Sequence, residues 1–280
     1  MQYSALHSRP FFAEEQLSVP RPKSEHMTID PSYEIDATGT SIDVLEHIVG
    51  AGGRAGISEI AADLDVSKSV AHNHVSTLRK RGYVVKRDRK YAPSLRLLAL
   101  GGRTRGAVEV YTEGRDVVEN LADATGEVVE LFVIEERHGV PVAIAGGASD
   151  WLPPHACGER MPLHVNAAGK AILASLPDDR LDAILSELAL TAATDQTVTD
   201  RAALRTEIKR IRESGVAFCR AEQYEGVVGV AAPIEWGASD RGAALAIDGP
   251  VDRLHGRYFE EDLVGQVVST VKEIEVALTE

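Results

Sequence analysis

Cysteine is scarce: Cys157 and Cys219 are the only two in 280 residues, so no disulfide framework holds this chain. Aromatic residues make up only 5%, and no apolar run reaches the length of a membrane-spanning helix. The first residues lack the basic, apolar and small-residue succession of a secretory leader, which makes a cytoplasmic location the expectation. Signatures of catalysis are missing as well. There is no Gly-x-Ser-x-Gly elbow. The stretch from Gly50 to Gly56 has no strand before it and no Gly-Lys-Ser after it, so it is not a phosphate loop. His155, Cys157, His164 and Cys219 show no tight metal-ligand spacing, and His155-Ala-Cys157 lacks the Glu and the Cys-x-x-Cys of a zinc deaminase. Lys170 falls in a helical pattern as a surface lysine, and Glu222 and Glu225 read as a solvated loop. No enzyme activity, metal or cofactor is expected.

What the chain does have is acid, distributed unevenly. The net charge is −13 and 44% of residues are hydrophobic, enough for two soluble domains. Between Arg54 and Arg105 twelve Lys/Arg face four Asp/Glu, a net +8 that leaves −21 for the remainder. A basic module followed by an acidic body favours a polyanionic partner for the first and keeps the second away from it. Such acidity also suggests a high-salt cytoplasm, where base contacts and dimer contacts outweigh phosphate contacts.

The basic window carries the motif. Ile60, Ala61 and Leu64 recur at helical spacing, with Ser58 as the expected cap. After the short link Asp65-Val66, Ser67 caps a second helix running to about Arg81, with Gly82 as its stop. Val70, Ala71, Val75 and Leu78 lie on its packing side. Lys68, Ser69, His72, Asn73 and Ser76 share the other side, where short polar groups can reach base edges in a major groove. Asn73 suits adenine, Lys68 guanine or phosphate, and Ser67 and Ser69 phosphates beside the helix N-terminus. Tyr83-Val84-Val85 and Tyr91-Ala92 read as strands joined by the cationic turn Lys86 to Lys90. That is a wing whose Arg87, Arg89 and Lys90 meet the DNA backbone. The competing reading is a sensor or interaction module that uses the helix-turn-helix for protein contacts.

Four segments follow. Residues 1–37, proline-rich and aperiodic, form a disordered or over-long arm, with Met27 as a second candidate start and minor-groove tracking as the arm's functional alternative. Residues 38–93 form the reader, opened by a helix from Ser41 to Gly50. Residues 94–125 are linker helices: Leu95 to Leu100, interrupted at Gly101-Gly102, then Val108 to Ala124. Residues 126–280 alternate strands (128–134, 140–145, 216–221, 226–234, 242–247) with helices (167–176, 181–188, 201–214, 263–278), an α+β sensor domain.

Several stretches together resemble the IclR-type regulators, named for the isocitrate lyase regulator. In the reader these are Ser41-Ile-Asp-Val-Leu-Glu-His, Ile57-Ser-Glu-Ile-Ala, Val66-Ser-Lys-Ser-Val-Ala-His and Leu78-Arg-Lys-Arg-Gly-Tyr. In the second domain they are His164-Val-Asn-Ala-Ala-Gly-Lys-Ala-Ile-Leu-Ala, Gly215-Val-Ala-Phe and Gly226-Val-Val-Gly-Val-Ala-Ala-Pro-Ile. The resemblance covers residues 38–280. It implies a winged helix-turn-helix plus a GAF-like effector-binding domain. It further implies a homodimer or homotetramer on a pseudo-palindromic double-stranded DNA site, a small-molecule metabolite effector, and activation or repression of catabolic genes. The effector pocket it implies falls on Asn166, Ala167, Ala168, Cys219, Gly229, Ala246 and Asp248. Cys219 stands where members often have Asp, Gly229 where they often have Cys, and Ala246-Ile-Asp248 where they often have Ser-x-Ser. These departures remove small hydroxyl donors and add a carboxylate. That points away from a carboxylic acid and toward a polyol or sugar-like ligand held by Asp248. The competing role for Asp248 is to end a strand before Gly249-Pro250.

Overall fold

The computed structural model describes residues 35–147, 151–236 and 241–279. Residues 1–34 of the expected N-terminal arm, Met27 included, lie outside the described residues, and the arm's last two residues, Asp36 and Ala37, are helical. The chain divides between Arg96 and Leu97 into two compact units. Among the described residues no helix is long and apolar enough to cross a membrane.

The first unit is three helices and a hairpin: α1 (Asp36–Gly50), α2 (Ile57–Asp63), α3 (Lys68–Lys80), β1 (Val84–Arg87) and β2 (Lys90–Pro93). Val44 and Ile48 of α1, Ile60 and Ala61 of α2, Ala71 and Val75 of α3, and Val84 and Tyr91 of the hairpin form one buried cluster. Each fully buried Val or Ile contributes roughly 1.5–3 kcal/mol. The helix α1 starts at Asp36, earlier than the expected Ser41, with the Ile35 carbonyl accepting the Thr38 and Gly39 amides at 2.7 and 3.2 Å. Ser58 is not the cap of α2. Gly56 is, and Glu59 reaches back to its amide at 2.8 Å. Val70 is 38% exposed rather than packed.

The second unit begins with α4 (Arg96–Gly106), which runs through Gly101-Gly102 and buries nothing. The two glycines cost helix stability of about 1 kcal/mol each, yet the Leu, Ala and Arg residues around them carry the helix on. Next, α5 (Glu109–Thr125) buries Val110, Val118, Leu121 and Ala122 in the unit's core. The remaining elements are β3 (Val128–Glu135), β4 (His138–Ala145), β5 (Met161–Pro162), α6 (Ala167–Ser175), α7 (Asp178–Glu187), α8 (Arg201–Ser214), β6 (Ala217–Arg220), β7 (Val227–Ile234), β8 (Ala243–Pro250) and α9 (Leu263–Ala277), the last entered through a π-helical turn at Tyr258–Asp262. Gly215, at φ 77°, closes α8 in the left-handed conformation that glycine adopts without strain.

The six strands run antiparallel in the order β5-β4-β3-β8-β7-β6. Strand alternation gives the sheet two unlike faces. Val129, Leu131, Val230, Leu245 and Ile247 pack with residues of α5 and α9. Ala217, Cys219, Ala231, Ala244 and Ala246 lie with α6 and α8. The segment leading into α6 folds back on the helix so closely that a Cβ on Gly169 would collide with the Leu163 backbone. The strand β8 continues through Asp248, which pairs with Gly229 on one side and Val128 on the other. Asp248 therefore sits mid-sheet and does not end a strand.

Candidate functional site

The polar edge of α3 is set by its first turn. The Ser67 hydroxyl accepts the Val70 amide at 3.2 Å and fixes the helix start. From there Lys68, Ser69, His72, Asn73 and Ser76 are all exposed, while Ala71 and Val75 are buried opposite. A hydrogen bond of 2.8 Å between Ser41 Oγ and His74 Nδ1 pins α3 to α1, so the edge is presented on a rigid support. In the wing, Arg87 pairs with Lys90 and the turn is Asp88-Arg89. Asp88 takes a φ of 56°, a left-handed position that Asp tolerates. Tyr91 bridges to Ala55 and adds a third short edge.

Lys86, Arg87 and Arg89 are exposed, and among the described residues no carboxylate pairs with them. Lys90 differs: its Nζ lies 2.9 and 3.1 Å from the two carboxylate oxygens of Glu59. The Gly56 amide first, and the Lys90 ammonium second, hold the Glu59 carboxyl below its ordinary range. An open groove of about 560 Å³ runs between the start of α2 and the wing, with Ser58, Glu59, Lys86 and Arg89 on its walls and His72 of α3 beside them. This unit can cradle a polyanionic strand while α3 enters a groove beside it.

The second constellation lies on the small-residue face of the sheet. Cys219, Gly229 and Asp248 are register neighbours across β6, β7 and β8. The Asp248 carboxyl lies over Gly229, where any Cβ would strike its Oδ1. Burial, and then the charge of Glu130, push the Asp248 carboxyl well above its ordinary range. Glu130 holds His155 Nε2 at 2.8 Å, and His155 Nδ1 lies 3.1 Å from the Tyr224 hydroxyl. The His155 and Tyr224 rings stack at 6.2 Å, and Phe132 meets His155 edge-on. Burial first, and nearby carboxylates including Glu130 and Asp248, push the Tyr224 hydroxyl up to about 12. The Cys219 thiol is also pushed up to about 12, by burial and then by Glu222 and Asp248. It stays protonated, directed at the Val165 carbonyl.

Helix α6 starts at the rim of this face. Asn166 caps it, accepting the Gly169 amide at 2.7 Å, while Ala167 and Ala168 are in its first turn, where amides have no intrahelical partner. Lys170 is not a surface lysine. It is fully buried, with Nζ at 2.8 and 2.7 Å from Glu222 and 2.6 Å from Glu207. Glu222 is likewise buried rather than solvated. Thr194 and Thr197 hydroxyls donate to the Ala221 and Glu222 carbonyls and clamp that loop. His164 is buried, with Nε2 donating to the Thr191 carbonyl at 3.0 Å, and burial lowers its pKa.

The structure thus gathers Asn166, Ala167, Ala168, Cys219, Gly229, Ala246 and Asp248 around one sheet face and adds Glu130 and Tyr224, which the sequence did not single out, together with His155 and the Lys170–Glu222 pair, to which it gave other roles. Of the two missed groups, Glu130 left a local trace, as a lone carboxylate inside the apolar run Val128 to Ile134. His155 and Cys157 do not join His164 and Cys219 as a ligand set. His155 is engaged by Glu130 and Tyr224, and Cys157 is exposed whereas Cys219 is buried. Among the described residues no three metal-ligating side chains cluster.

Comparison with known proteins covers both units. Residues 41–88 match the IclR helix-turn-helix domain and residues 104–276 match the bacterial transcriptional regulator IclR C-terminal domain. A probable HTH-type transcriptional regulator of Halobacterium salinarum, ArcR, is 27% identical over 79% of this chain and 86% of its own length. The glycerol operon regulatory protein of Streptomyces coelicolor is 30% identical over 75% of this chain and 83% of its own. Among solved structures, Thermotoga maritima IclR superposes with a TM-score of 0.77 at 25% identity, covering 88% of this chain and 100% of that one.

Proposed function

Because the chain belongs to the IclR family of transcriptional regulators, we propose specific roles for the side chains described above. The protein is a ligand-responsive DNA-binding regulator. In its complex with DNA, Lys68, Ser69, His72 and Asn73 read base edges, Ser67 and Ser76 flank them, and Arg87 and Arg89 hold the phosphate backbone with Lys86. The observation that carries this reading is the polar edge of α3, wholly exposed while the opposite edge is packed. Two copies place two such helices in successive major grooves of a pseudo-palindrome. Exposed Ile42 and Val49, two turns apart on α1, supply apolar area for a second copy. Acidity and the halobacterial relative both support a protein that works at high salt.

The effector is a small donor-rich molecule, polyol or sugar-like, and the regulated genes are catabolic. Asp248 accepts hydrogen bonds from its hydroxyls, Cys219, Gly229 and Ala246 form the floor, and the α6 amides at Ala167 and Ala168 meet its polar end under Asn166. Relatives named for glycerol operons support a polyol. Binding changes the DNA affinity only in so far as the ligand prefers one arrangement of the protein.

Fluorescence anisotropy on the duplex upstream of the gene tests the first part: Asn73→Ala loses affinity there and keeps it on random duplex, whereas Arg89→Ala loses both alike. Calorimetric titration with glycerol and with hexoses, wild type against Asp248→Ala, tests the second. Equal affinity in the two proteins for whichever sugar or polyol binds removes Asp248 from the site.

A further inference from the structure

One carboxylate stands among the groups of the DNA-facing groove. Glu59, at the start of α2, shares its walls with His72, Lys86 and Arg89. It does two jobs at once: its Oε2 accepts the Gly56 amide at 2.8 Å, and both oxygens receive Lys90 of the wing at 2.9 and 3.1 Å. Lys90 is thereby held toward α2. Arg87, its register partner across the hairpin, is not.

We propose that Glu59 is a specificity-determining residue that keeps Lys90 off the phosphate backbone and so holds down binding to arbitrary DNA. This rests on the reading of the first unit as a DNA reader. Affinity for arbitrary sequence comes from phosphate neutralisation, and each contact adds a counterion-release increment that every sequence shares. A wing cation neutralised by a carboxylate of its own chain adds little to that increment. Base contacts from α3 are untouched by it. The same pair ties the wing to α2, so withholding the charge also steadies the wing.

The test uses the full chain and a random-sequence duplex, with affinity measured across a salt series. Glu59→Gln keeps an oxygen for the Gly56 amide and removes the charge that holds Lys90. It is expected to bind random duplex several-fold tighter and to steepen the slope of log affinity against log salt by about 0.9, the increment of one phosphate contact. Lys90→Gln in the otherwise natural chain is expected to leave that slope nearly unchanged. In the double variant the Glu59→Gln gain is expected to vanish, because there is no ammonium to release. The proposal is overturned if Lys90→Gln alone flattens the slope by about 0.9, which places Lys90 on phosphate already. It is equally overturned if the Glu59→Gln gain persists without Lys90, which makes the effect simple removal of negative charge. Failure of the natural chain to bind any duplex, its own upstream region included, sinks the DNA reading itself and this inference with it.

Discussion

Helices α3 and α6 open alike and end up as opposites. Each begins on a polar cap that accepts the amide three residues on, Ser67 for α3 and Asn166 for α6. Each has a lysine in its first turns. In α3 Lys68 is exposed among other polar side chains, and only a narrow apolar seam is packed. In α6 every residue from Ala167 to Ala174 is buried, Lys170 included. The same start signal therefore serves a helix that meets an external partner and one that the fold encloses. What separates them is the remainder of the face: short polar side chains on α3, alanine and glycine on α6.

The largest effect that could break this contrast is on stability. Lys170→Ala leaves Glu222 buried without its counter-charge, which is expected to cost about 3–5 kcal/mol in a urea unfolding measurement. Lys68→Ala is expected to change stability by less than about 0.5 kcal/mol while lowering DNA affinity. Comparable losses in both would mean that α6 is no more dependent on its lysine than α3. Next in size, Asn73→Ala is expected to weaken specific DNA binding by ~1–3 kcal/mol, read as the difference between upstream and random duplex. The caps come next. Asn166→Ala should destabilise the second unit by about 1–2 kcal/mol and Ser67→Ala the first by about 0.5–1 kcal/mol, measured by thermal unfolding. An enclosed cap cannot be replaced by water as an exposed one can.

The smallest effect concerns pH. Asp248 binds its proton more tightly in the folded chain than in the unfolded one, because burial and Glu130 disfavour its charge. Its contribution to stability is complete below the unfolded carboxylate value and disappears as pH rises through the folded one. Asp248→Asn should therefore be more stable than the natural chain at neutral pH, with the gap closing on acidification. Urea midpoints taken between about pH 4 and about pH 8 check it, and a gap that widens toward acid would reverse the assignment.

The reader was legible because its signals are local. Ser67 and Gly82 bracket α3 within one window, and the apolar seam of Ala71 and Val75 lies between them. Helix α8 fell at its expected bounds for the same reason, with Asp200 and Gly215 as its ends. Illegible features depended on partners far along the chain. Lys170 is buried because Glu222 arrives from 52 residues away. His155 meets Glu130 and Tyr224 only after the sheet has formed. Propensity misled twice in the same direction: Gly101-Gly102 did not stop α4, and Gly249-Pro250 did not stop β8 at Asp248, since pairing on both sides continued the strand.

The overlap of Asp248 with the space above Gly229 imposes an order on change. A Cβ at 229 meets the end of the Asp248 side chain, which must swing aside for it, so Gly229→Ser in the natural background is expected to lower stability. Once Asp248 has been shortened to Ala or Ser, the same substitution becomes open. A descendant lineage reaches a hydroxyl-lined floor more easily by losing the acid first, and the return journey is easier once position 229 has been cleared. Two neighbouring positions on adjacent strands thus act as a turnstile, which narrows the routes by which this sensor could acquire a different metabolite.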